Sequence, residues 1–206
     1  MTDVPLNSGP ANSPGPPAAA TDEQLMLAFA QGSADAFNQL FSRYKQPLFG
    51  FFRRRVSDPA HAEELAQETF LAILRAASRY QPRALFRTYL YAIAFKILRS
   101  YRRKTAFRAM FLGASSSARE PALPNMTDQE LTLRHAVAKL DRLEREILLL
   151  REFEQLSYTQ IAGLLHLPVN TVRSRLFRAR KALRELLLAP AAKTLNPKWA
   201  GSEEHA

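Results

Sequence analysis

From Thr21 onward apolar residues recur at three- and four-residue intervals with polar positions between them, and no segment shows the two-residue alternation of a half-buried strand. The pattern predicts an all-α chain. Helix starts are marked by local chemistry. Asp58-Pro59 supplies a capping carboxylate followed by a proline at the first helical position. Thr127 with Glu130, Asp141 with Glu144 and Ser157 with Gln160 have the spacing of reciprocal capping boxes. Helices are predicted at about 59–79, 84–104, 128–140, 142–153, 158–165 and 169–188. Pro47 interrupts a helical stretch from Ala34 to Val56, where a kink is predicted, and Pro190 and Pro197 are expected to end the last helix.

The segment GASSSAREPALPN (113–125) breaks the periodicity with three serines and two prolines. The chain therefore divides into a disordered tail over 1–20, a helical module over 21–105, a flexible linker over 106–126, a second module over 127–189 and a tail over 190–206. Each module is near the lower size limit for an independent core.

Composition narrows the chemistry. Across 206 residues the formal charge is +10, which favours a polyanionic partner. There are no cysteines, and His61, His135, His166 and His205 are scattered, so no metal site or other cofactor is expected. No cluster of carboxylates or histidines suits catalysis, and the chain is not expected to be an enzyme. Residues 1–20 contain no Lys or Arg and no apolar core, unlike a signal peptide. No apolar run reaches the ~18 residues of a membrane span. A cytoplasmic protein without membrane insertion is expected.

Within SYTQIAGLLHLPVNTVRSRLFRARKALREL (157–186), two helices meet at His166–Leu167–Pro168. Ile161, Ala162 and Leu165 form an apolar face on the first, and Val172, Leu176, Ala179 and Leu183 form one on the second. The rest of the second helix carries Arg173, Arg175, Arg178, Arg180, Lys181 and Arg184 with no acid before Glu185. Like charges at this spacing repel, and nothing within the helix compensates them. Phosphates would. A helix-turn-helix with a basic second helix, carrying Ser174 and Phe177 near the end that enters a major groove, fits duplex DNA.

These residues also carry a family resemblance. LREFEQLSYTQIAGLLHLPVNTVRSRLFRARKAL (150–183) resembles region 4 of the extracytoplasmic-function group of sigma-70 factors, the domain that reads the −35 promoter element. The resemblance implies DNA contacts by Thr171, Arg173, Ser174, Phe177 and Arg178, with Arg151 reaching a phosphate from the preceding helix. His166 and Asn170 stand where the family often has glycine.

Upstream, AEELAQETF (62–70) is acidic and polar on one side, while Leu65, Phe70, Ile73 and Leu74 are apolar. The next helix interleaves Tyr89, Tyr91, Phe95 and Tyr101 with cations, a composition suited to stacking unpaired bases, although the same rings could fill a core. Both helices resemble region 2 of the same family, and DEQLMLAFAQGSADAFNQLFSRY (22–44) is similar to its start. The resemblance implies docking of Glu64, Leu65, Gln67 and Glu68 on the clamp helices of the largest subunit of core RNA polymerase, with a further contact to the flap of the second subunit. It implies −10 DNA binding by Tyr89, Lys96, Arg99, Arg102 and Arg103, and places loop 79–84 where the family captures a flipped base. Lys96 and Ser100 depart from the Asn and Asp of many members. An anti-sigma factor is a further implied partner.

A free-standing helix-turn-helix regulator, binding a palindrome as a dimer, remains the alternative. The acidic 62–70 segment and the aromatic-basic helix speak against it.

Overall fold

The computed structural model describes residues 20–112 and 127–193, and every regular element among them is helical. Helices α1 (Asp22–Ala30), α2 (Ala34–Arg53), α3 (Pro59–Ala76, followed by a 3-10 turn at Ala77–Arg79) and α4 (Phe86–Leu112) build the first module. Helices α5 (Asp128–Ala138), α6 (Arg142–Glu152), α7 (Tyr158–Leu165) and α8 (Val169–Lys193) build the second. Of the expected tails over 1–20 and 190–206 and the expected linker over 106–126, residues 1–19, 194–206 and 113–126 lie outside the described residues, while 106–112 and 190–193 are helical.

The helices begin where side-chain caps satisfy their first amide groups. Asp58 accepts from the Ala60 amide, and Thr127 and Ser157 complete both halves of their capping boxes. Asp141 instead accepts from two amides, those of Leu143 and Glu144. A further box, Thr21 with Gln24, opens α1. Gly32, at φ 103°, supplies the left-handed turn after α1 that a side chain would resist.

In the first module α2 packs between α1 and α3, and α3 packs on α4. Its core includes Leu48, Phe51, Phe52, Leu90 and Leu98, all fully buried. Each such side chain contributes about 1.5–3 kcal/mol by leaving water. The Glu23 carboxylate accepts from the Phe86 amide at 2.6 Å, so α1 caps the start of α4. In the second module α8 is the central helix, with α5, α6 and α7 against it. Val172, Leu176 and Ala179 are buried as their spacing predicts, and Leu183 is half-buried.

Two helix ends differ from expectation, those of α4 and α8, and Pro47 does not divide α2. α4 runs to Leu112 instead of Lys104, because no glycine or proline interrupts it before Gly113. α2 continues through Pro47 to Arg53, since a proline removes one backbone hydrogen bond without forcing an end when the flanking turns are packed. α8 likewise continues through Pro190 to Lys193.

Candidate nucleic-acid interface

The turn between α7 and α8 closes on His166, which adopts the left-handed conformation (φ 56°, ψ 48°) and donates its amide to the Ala162 carbonyl. The Leu167 amide joins it there at 2.9 Å. His166 thus does at this turn what glycine does at lower cost. Asn170 lies inside α8 and needs no such geometry.

Beyond this turn α8 separates its two faces cleanly. Val172, Leu176 and Ala179 point into the core, while Arg173, Ser174, Phe177 and Arg178 are exposed. Phe177 is 71% exposed, although a phenylalanine on a half-buried helix would ordinarily turn inward. Thr171 is half-buried, and its carbonyl accepts from the Ser174 hydroxyl at 3.1 Å.

The cations of α8 are not uncompensated once the helix is packed. Arg178 Nε lies 3.3 Å from Glu144, Arg175 lies 3.6 Å from Asp141, and Arg180 donates to Glu152 at 2.6 Å. Glu152 raises the Arg180 pKa further above its ordinary value. Such exposed pairs contribute about 0–1 kcal/mol each, so their effect is to aim the guanidinium groups. Arg173 and Arg184 make no ion pair among the described residues. The guanidinium groups of Arg151, at 5.3 Å, and Arg173, at 5.9 Å, both lie over the Tyr158 ring. Arg151 also donates to the Leu156 carbonyl at 3.0 Å. Neither the α6 acids nor the Tyr158 platform is anticipated from the sequence. The acids Asp141 and Glu144 at helical spacing, three residues apart, are the available signal.

In the first module α3 exposes Glu64, Gln67 and Glu68 along one edge. Leu65 is different: it is 5% exposed and packs into the core, so its predicted role as a polymerase contact is corrected to a structural one. Phe70 and Ile73 are buried with it, and Leu74 is partly exposed.

On α4 the aromatic residues divide. Tyr91 and Phe95 belong to the core, and burial together with the Glu154 charge pushes the Tyr91 hydroxyl up to about 12. Tyr89 and Tyr101 are half-buried. Tyr89 stacks edge-on against Tyr80 of the 79–84 loop at 5.2 Å. Lys96, Arg99 and Arg103 are exposed and, with half-buried Arg102, line one wall of a cleft of about 670 Å³. The facing wall comes from the second module and includes Arg142, Leu164 and His166. Burial lowers the Arg102 pKa, against the pull of Glu146 at 3.7 Å.

A basic helix-turn-helix joined to a four-helix module with an acidic edge and a cationic helix defines a promoter-reading protein, and comparison with known proteins agrees. Residues 40–108 match Sigma-70 region 2, and residues 130–183 match Sigma-70, region 4. The chain is 34% identical to RNA polymerase sigma-H factor of Pseudomonas aeruginosa over 180 residues, covering 81% of this chain and 93% of that one. It is 31% identical to the ECF RNA polymerase sigma-E factor of Escherichia coli over 177 residues, covering 79% and 92%. Among solved structures it resembles CnrH in complex with the cytosolic domain of CnrY, with a TM-score of 0.62, 28% identity and coverage of 82% and 97%. The sigma factor RpoE of Bartonella quintana, in complex with the anti-sigma factor NepR, gives a TM-score of 0.62 at 25% identity, covering 73% and 96%.

The chain belongs to the extracytoplasmic-function group of the sigma-70 family and is an RNA polymerase sigma factor directing promoter-specific transcription initiation. This family is non-catalytic, and the free-standing regulator is set aside. Among the described residues no helix is long and apolar enough to cross a membrane, and no side-chain group could hold a metal ion.

Proposed function

We propose that α8 reads the −35 element as duplex through Arg173, Ser174, Phe177 and Arg178, with Thr171 and Arg151 contacting the backbone nearby. The observation that carries this reading is the outward Phe177, exposed on a helix whose opposite face is core, between two exposed arginines. A phenylalanine there can meet a thymine methyl while the arginines take guanine edges or phosphates. In the same reading Tyr89, Lys96, Arg99, Arg102 and Arg103 of α4 hold the melted −10 strand. Cations beside a half-exposed ring suit phosphates and unstacked bases.

The exposed edge of Glu64, Gln67 and Glu68 serves as the docking surface for the clamp helices of core polymerase, and the second module meets the flap of the second subunit. A protein working with core polymerase acts in the cytoplasm. An anti-sigma factor is its regulator, by analogy with the complexes of CnrH with CnrY and of RpoE with NepR.

Reconstitution with sigma-free core polymerase tests the whole reading, with transcript 5′ ends mapped to give both promoter elements. Glu64→Lys with Gln67→Ala is expected to weaken the polymerase complex at least tenfold (about 1.4 kcal/mol) without lowering the melting temperature, since both side chains are exposed. Unchanged affinity removes this surface from the reading.

A further inference from the structure

The cleft of about 670 Å³ beside α4 gathers charge of one sign. Lys96, Arg99, Arg102 and Arg103 line it from α4 and Arg142 lines it from the start of α6, while no Asp or Glu among the described residues lines it. Lys96, Arg99, Arg103 and Arg142 make no ion pair among the described residues. The nearest acid, Glu146, lies 3.7 Å from Arg102 but already pairs with Arg55 at 2.6 Å. The crowding registers at Arg102. Burial lowers its pKa most, and the guanidinium groups of Arg142, Arg55 and Arg145 lower it further, against the pull of Glu146.

Unpaired cations lining a concave space concentrate the field there and attract an anion. The volume falls within the range of small-ligand sites, about 300–1,000 Å³. Four of the five cations are arginines, whose planar forks hold phosphate oxygens two at a time. A single phosphate monoester carries at most about two negative charges and would leave most of these cations unmatched. A chain of phosphates would match them. Ala92, Phe95 and Leu164 add apolar surface to the same cleft, against which a base could rest. Gly163 of α7 lines it as well, and a Cβ there would meet nothing within 4 Å, so the space beside it is open.

We propose that this cleft is a binding site for a small polyphosphate, either a nucleoside polyphosphate or the inorganic chain, held by Lys96, Arg99, Arg102, Arg103 and Arg142. Four of these residues are also the α4 cations assigned to the −10 strand, so the polyphosphate and that strand exclude each other. The exclusion rests on the proposed −10 reading; the site itself does not. Arg142 has no part in either promoter reading and therefore marks the site by itself.

Calorimetric titration of the full-length chain with sodium tripolyphosphate, in magnesium-free buffer at fixed ionic strength, is expected to show one site per chain. Orthophosphate should bind at least about tenfold more weakly. Arg142→Ala should weaken tripolyphosphate about tenfold, and Gly163→Glu, which adds a carboxylate to the cleft, by at least as much. Both positions are exposed, and unchanged melting temperatures are expected. Arg184→Ala removes an exposed cation outside the cleft and should leave the affinity as it was. Absence of a saturable site, or an equal loss in Arg184→Ala, overturns the proposal, because binding would then follow net charge alone. A glutamate oligopeptide that binds as tightly as tripolyphosphate overturns it too, since the cleft would then take acidic peptide. Titration with adenosine and guanosine triphosphates separates the two sources. Affinity above that of tripolyphosphate assigns a nucleoside polyphosphate, and equal affinity assigns the inorganic chain. Exclusion is read by displacement of labelled single-stranded −10 DNA of a mapped promoter from the full-length chain, expected at the concentrations that fill the site. Simultaneous binding overturns the exclusion and the α4 assignment, while the titrations still judge the site.

Discussion

Helices α4 and α8 both carry a row of cations beside aromatic residues, yet the structure treats the two rows differently. The α8 row is partly compensated within its own module, where Asp141, Glu144 and Glu152 aim Arg175, Arg178 and Arg180 and leave Arg173 and Arg184 without an ion pair among the described residues. Along the α4 row, Lys96, Arg99 and Arg103 have no ion pair among the described residues, and Arg102 finds its acid, Glu146, only in the other module. A reader aimed by its own module works in any arrangement of the chain. A reader facing the other module across a cleft depends on where that module sits. In the proposed reading, the same composition therefore serves as a pre-aimed duplex reader in one place and a conditional one in the other.

The most direct challenge to this contrast is Arg173→Ala with Arg178→Ala. Each good base contact is worth ~1–3 kcal/mol, so removing both arginines should lower −35-dependent initiation by about 10²-fold or more while core binding is kept. The salt dependence of binding should also flatten by about one unit for each phosphate no longer neutralised. If core binding falls equally, the helix is structural and the contrast fails. A smaller effect, about tenfold, is expected from Arg99→Ala with Arg103→Ala, read as slower open-complex formation on a promoter with an intact −35 element. Binding to isolated −35 duplex should not change, and a change there would mean the two rows are not separate readers.

The smallest expected effect concerns the turn that presents α8. His166→Gly should relieve the cost of a side chain at φ 56°, raising stability by up to about 1 kcal/mol with DNA affinity retained. A loss of stability in thermal unfolding would show that the histidine side chain has a packing role.

Much of this molecule is legible from local pattern. Asp58, Thr127 and Ser157 announce their helices because a cap acts on amides two or three residues away. The division of α8 into core and cationic faces follows from 3.6-residue periodicity. Leu65 defeats the sequence reading because a resemblance to a docking segment says which stretch faces a partner but not which side chain of it turns inward. Basic composition around Lys104 suggests too early an end for α4, and the absence of Gly and Pro before Gly113 is the better physical signal. The contacts of Arg54 and Arg55 with Glu146 and Glu154, between the two modules, have no local signature at all. They join residues 91 to 100 positions apart, and Glu146 and Glu154 look like ordinary surface acids until the modules meet.

The capping pattern of the second module bears on how it folds. Thr127, Asp141 and Ser157 each nucleate a helix from within one turn of sequence, and the hydrogen bonds that define α5, α6 and α7 are all short-range. A helical domain dominated by such contacts has a low contact order, and domains of that kind fold on microsecond to millisecond timescales. During synthesis the second module can therefore assemble as soon as its helices emerge, without waiting for the first as a template.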